Sequence, residues 1–123
     1  MEIILNKKES EDYFLNALCN GGLDCAAAYG LRLEFDQDAY NKVSKYTNCF
    51  EDILMEMLKN GESLTLVDEE GGEDSWTITL DDVHWRMSKV PMRHLMDMIN
   101  ENDDAITADA IIQYVFMEDI IFG

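Results

Sequence analysis

The last seventeen residues, TADAIIQYVFMEDIIFG (Thr107 to Gly123), constrain this chain more than any other stretch. Only Asp109, Gln113 and Glu118 break the apolar surface up to Met117, so a helix capped by Thr107 and running to about Met117 has no free face for solvent. Such a helix has to be central, with other elements packed round it. The remainder, Asp119 to Phe122, reads as a short terminal strand, and the acids gather in the connection Asn100 to Asp104.

The elements that surround it are legible in part. EIIL at Glu2 to Leu5 suits an opening strand, and Ser10 is an N-cap for a helix from Glu11 to about Asn20, ended by Gly21 and Gly22. CAAAY reads equally as a helical turn, while Leu31 to Phe35 alternates as a strand and Asp38 to Lys45 as a helix. In NCFEDILMEMLKNG, Asn48 and Glu51 have capping-box spacing, and Phe50, Ile53, Leu54, Met57 and Leu58 form one stripe before Lys59 and Gly61. Leu64 to Val67 and Ser75 to Leu80 carry the β-branched and aromatic residues of a hairpin round an acidic Gly-Gly connection.

Thr79 or Asp81 caps the next helix, whose Leu80, Val83, His84 and Met87 share a face until Pro91 interrupts. Met92, Leu95, Met96 and Ile99 repeat the spacing in a further helix; the methionines read first as adaptable core filler, and the alternative is that Met55 and Met98, on otherwise polar faces, are exposed at a protein interface. The whole predicts a single small α+β domain over residues 1–123, with a short, mostly antiparallel sheet and about four to five helices packed on it. No 18-residue apolar span and no basic-then-apolar leader occurs, so the expected location is the cytoplasm of a bacterial cell, away from membranes.

Charge narrows the partners. Nine Lys and Arg stand against 26 Asp and Glu, a net charge of −17. Nucleic acid is excluded as a direct ligand, because binding it needs a basic footprint, and an anionic membrane surface is disfavoured for the same reason. From Asn60 to Trp85 there are eight acids and no Lys or Arg, and from His94 to Gly123 seven acids and again none. Asp68, Glu69, Glu70, Glu73 and Asp74 on the hairpin, with Glu101, Asp103 and Asp104 before the last helix, are therefore the expected partner contacts, and the partner is a basic protein surface.

Catalytic and metal chemistry find little support. Cys19, Cys25 and Cys49 lack zinc-knuckle spacing and read as reduced thiols packed like small apolar groups; His84 and His94 are ten apart. DQDAYN (Asp36 to Asn41) lacks the glycine and the final glutamate of a calcium loop and reads as a solvated lead into a helix. Cys19 with His84 can be drawn as nucleophile and base, but no signature surrounds either; His84 reads as an edge-of-core histidine. No cofactor, no metal and no enzymatic activity are expected.

At ALCNGG (Ala17 to Gly22), TITLDD (Thr77 to Asp82) and TADAIIQYVFMEDIIFG, the chain resembles small acidic proteins of bacterial phages and integrative elements. That resemblance implies a counter-defence role of the anti-CRISPR or antirestriction type, in which an acidic protein stands in for nucleic acid. A second reading makes the chain an interaction or self-assembly module whose acids give only solubility.

Overall fold

A computed structural model describes residues 4–70, 74–100 and 105–122. Their architecture is α+β, with six continuous helical stretches, the first of which kinks into two helices, and a three-stranded antiparallel sheet in the order β1-β2-β3. Helix α1 (Lys7–Ala17) starts four residues earlier than the sequence suggests, because Asn6 rather than Ser10 is its cap. Asn6 Oδ1 accepts from the Glu9 amide at 2.8 Å and Glu9 Oε1 accepts from the Asn6 amide at 3.0 Å, the same chemistry as the serine-led box in another residue type. Ser10 is buried inside the helix. The expected strand at Glu2 to Leu5 is also corrected where it is described: Ile4 and Leu5 pair with no strand, and the Leu5 amide donates to Ser88 Oγ at 3.2 Å, while Glu2 and Ile3 lie outside the described residues.

A π-helical turn at Leu18–Gly22 carries the chain from α1 into α2 (Leu23–Ala28), kinking at Gly21, whose φ is +98°. Gly22 is buried against the last helix, and a methyl group there would come within 2.4 Å of Ile112 Cγ1 and 2.7 Å of the Ala17 carbonyl. This close approach lets the turn sit flat on α7 (Ala105–Met117). α7 touches the π turn, α1, α2, α5, α6 and β3, which makes it the central element its sequence demands. Thr107 is not its cap but lies buried within it.

Strands β1 (Leu31–Glu34), β2 (Leu64–Asp68) and β3 (Ser75–Ile78) pair so that Leu33 faces Leu66 and Leu66 faces Trp76. Leu31, Leu64, Leu66 and Ile78 are buried on the inner face. Arg32, Glu34, Thr65 and Thr77 occupy the outer face, with Thr65 and Thr77 hydroxyls 2.8 Å apart across the strands. Helix α3 (Gln37–Ser44) is capped by Asp36, and α4 (Phe50–Lys59) buries Ile53, Leu54, Met55, Met57 and Leu58. The expected Asn48–Glu51 box does not form: Cys49 is the N-cap, and Glu51 instead accepts from the Cys49 thiol at 3.1 Å.

Helix α5 (Leu80–Met87) opens at Thr79, whose amide donates to Asp82 Oδ2 at 2.9 Å. Pro91 separates it from α6 (Met92–Ile99), which turns His94, Leu95 and Met98 inward and leaves Met92, Met96 and Ile99 exposed. The stripe expected for that helix is thus rotated, and Met98 and Met55, expected on polar faces, are 3% and 4% exposed. Arg86 on α5 closes the end of α7, its Nη1 donating to the Val115 carbonyl at 2.8 Å while Nε meets Glu118 Oε1 at 3.2 Å. Glu118 itself takes a left-handed conformation, φ 60°.

After Glu118 the chain does not become the expected strand. Ile121 and Phe122 donate their amides to Gln113 Oε1 at 2.8 and 2.7 Å, and Gln113 Nε2 donates to the Phe122 carbonyl at 3.0 Å. One buried carboxamide thereby supplies what a neighbouring strand would have supplied. Phe122 stacks on Tyr29 with ring centres 5.3 Å apart. Tyr29 donates to Asp109 Oδ2 at 2.7 Å, and that bond, then burial, then the carboxylate's charge push the phenol up to about 12.

Candidate functional site

Burial sorts the acids before any partner is considered. Every described Asp and Glu is exposed or half-buried, and the core is made of apolar side chains with four polar exceptions, Ser10, His94, Thr107 and Gln113. Several carboxylates meet cations: Asp12 with Lys8, Glu11 and Glu56 with Lys59, Asp82 and Glu118 with Arg86, and Glu34 and Glu69 with Arg32. Among the described residues Asp36, Asp38, Glu62, Glu70, Asp74 and Asp81 form no ion pair. Their charge is therefore presented outward.

The carboxylates near the sheet gather at its two ends. At the hairpin end, the Asp68 amide donates to the Asp74 carbonyl at 3.0 Å, Asp68 Oδ1 accepts from the Glu70 amide at 3.1 Å, and the Glu69 amide donates to the Gly30 carbonyl at 3.0 Å. Gly30, at φ +84°, leaves room that a Cβ would contest at 2.6 Å from the Glu70 side chain. The Arg32 guanidinium sits among these acids, bonded to Glu69 Oε1 and 2.6 Å from Glu34 Oε1; the two carboxylates raise its pKa. Of the expected contacts the fold thus brings Asp68, Glu69, Glu70 and Asp74 together, with Glu69 already neutralised. Glu73, Glu101, Asp103 and Asp104 lie outside the described residues.

At the opposite end Glu34, Asp36 and Glu62 border one cleft, with Asp38 beside them on α3. Sequence reasoning missed this group because Glu62 lies far along the chain from Glu34, Asp36 and Asp38. The readable signal was DQD, whose first acid caps α3 by accepting from the Asp38 amide at 2.9 Å rather than leading in as a loop.

Of the candidates for chemistry, Cys19 and Cys49 are neighbours, whereas His84 is paired elsewhere. His84 Nε2 lies 2.7 Å from Glu11 Oε2, so a carboxylate and not a thiol occupies that ring position; its buried Nδ1 has no partner among the described residues. Cys19 and Cys49 are exposed and Cys25 is partly so, contrary to the expected packing of all three thiols. Burial first, then the nearby Glu51, Cys49 and Asp52, pushes the Cys19 thiol up; burial and then Asp109 and Asp24 do the same for Cys25. A raised pKa lowers the thiolate fraction of both. Among the described residues no three of His, Cys, Asp and Glu could hold a metal ion, and no helix is long and apolar enough to cross a membrane.

Compared with protein-family models, with curated proteins and with solved structures, the chain matches none.

Proposed function

We propose that this protein is a non-enzymatic acidic inhibitor that occupies the basic nucleic-acid-binding surface of a host defence enzyme, in the manner of anti-CRISPR or antirestriction proteins. The observation that carries the reading is the outward, largely unpaired display of carboxylates on a small apolar-cored body. Duplex DNA offers a negative charge about every 1.7 Å of axis, and a basic channel built for that density accepts a protein of comparable field. The resemblance to small acidic phage and mobile-element proteins supports the same class. The inhibitor acts in the bacterial cytoplasm, binds neither nucleic acid nor membrane, and needs no cofactor.

The test is affinity capture from a bacterial lysate with elution along a salt gradient. A nucleic-acid enzyme released at moderate salt and displaced by duplex DNA is the expected result; association unmoved by salt or DNA would overturn it. Glu70→Lys with Asp74→Lys should abolish inhibition while the far-ultraviolet dichroism stays unchanged. The exposed Met92, Met96 and Ile99 stripe of α6 favours a second reading, self-assembly through an apolar face. Light scattering that reports a dimer at both 0.1 and 1 M NaCl would select it.

A further inference from the structure

Helix α3 packs against α4 but leaves its apolar stripe only partly covered. None of its eight residues is buried, and Ala39, Tyr40 and Val43 are only half-covered, although an amphipathic helix ordinarily seals its apolar stripe against the core. Space remains on both flanks. On one side a cavity of about 260 Å³ opens beside Ala39 and Val43, above the wholly buried Met57. On the other, about 230 Å³ opens between Val43 and Asn60, with Tyr46 standing 90% exposed at its mouth.

The rim of this apolar groove is anionic. Asp36, Asp38 and Glu62 line the first cavity, and Asp36 and Glu62 are shared with the Glu34 cleft beyond it. Lys42 is the one cation lining these spaces among the described residues, and it takes part in no ion pair there. An anion would be repelled from such a rim. A purely apolar helix would strip water from three carboxylates without replacing it. A lysine or arginine side chain satisfies both parts, because its aliphatic stem covers apolar surface while its head keeps the charge at the rim.

We propose that the groove flanking α3 docks a lysine- or arginine-bearing segment of the partner protein, stems over Ala39 and Val43, heads toward Asp36, Asp38 and Glu62. The inference rests on the reading of the partner as a basic protein, and it adds to the hairpin acids a second contact at the opposite end of the sheet.

The experiment titrates the ¹⁵N-labelled full chain with deca-lysine at 50 mM NaCl and follows the amide shifts. Saturable changes centred on Asp36 to Val43 and Asn60 to Glu62 are expected. Asp38→Asn and Glu62→Gln, which keep shape and remove charge, should weaken binding by about three-fold each and about ten-fold together. Asp24→Asn on α2 should leave it unchanged. Shifts confined to Glu69, Glu70 and Asp74, or affinity indifferent to Asp38→Asn and Glu62→Gln, would overturn the groove while leaving the basic-partner reading standing. The same shifts produced by calcium alone, or by raising the protein concentration without peptide, would overturn it in favour of a cation site or a second copy. Absence of any saturable binding at this salt would overturn the groove and the basic-partner reading together.

Discussion

Replacing Gln113 with methionine keeps the length and most of the volume of a side chain that is 2% exposed, and removes only its hydrogen-bonding head. Three bonds to the terminal segment disappear, those to the Ile121 and Phe122 amides and the Phe122 carbonyl, together with the 2.9 Å bond from Nε2 to Asp109 Oδ1. At about 1 kcal/mol net for each, the sum is about 4 kcal/mol, but the freed tail can turn its amides to water, so the expected loss is about 2–3 kcal/mol. For a chain of this size that lowers the thermal midpoint by about 8–12 °C.

Two readouts separate this reasoning from generic damage. Amide exchange at Ile121 and Phe122 should become as fast as in a free peptide while protection in α4 and β2 is kept. Phe122→Ala should then add less on the Gln113→Met background than alone, by about 1 kcal/mol, because the tail is already released. Unchanged exchange at Ile121 and Phe122, or strictly additive losses, would refute the view that one carboxamide holds the end of the chain.

Gly22→Ala forces a methyl group against Ile112 and the Ala17 carbonyl at 2.4 and 2.7 Å, and should destabilise by about 2–3 kcal/mol in urea unfolding; a change below about 0.5 kcal/mol would show that the π turn is not seated on α7. His94 has its pKa held below the ordinary 6.5 by burial first and then by Arg93, against the opposing pull of Asp97, and its neutral Nε2 accepts from Arg93 Nε at 3.3 Å. The folded state thus binds a proton less readily than the unfolded one, so the contribution is complete above pH 6.5 and is lost as pH falls through and below that value. The gap in thermal midpoint between the native chain and His94→Gln should narrow from pH 7.5 to 5.5, and a gap independent of pH would refute it.

Elements whose apolar spacing was strong were legible before any coordinates. The stripe of α4, the alternation in β1, β2 and β3, the break at Pro91 and the burial of α7 all follow from side chains that have to leave water. Caps were less so, because Asn6, Ser10, Asn48 and Thr107 all have the right chemistry and only the tertiary position decides which one meets free amides. The terminal strand failed for a related reason: Asp119 to Phe122 has strand-like residues, but its partner is a glutamine side chain thirteen-residue helix α7 happens to present. At the acidic surface, the hairpin acids were visible as a run, whereas Glu62 joins Glu34, Asp36 and Asp38 only through the antiparallel register that sets Glu34 beside Thr65.

Arg86 gives the fold a dependence that its element order does not suggest. The last turn of α7 contains no basic residue, and the guanidinium that meets its carbonyls is carried by α5. The two helices are therefore a single unit for any rearrangement of the chain. A truncation that removes residues 80–87 takes away the cation on which the central helix ends, whereas a circular permutation opened between α3 and α4 leaves that unit whole.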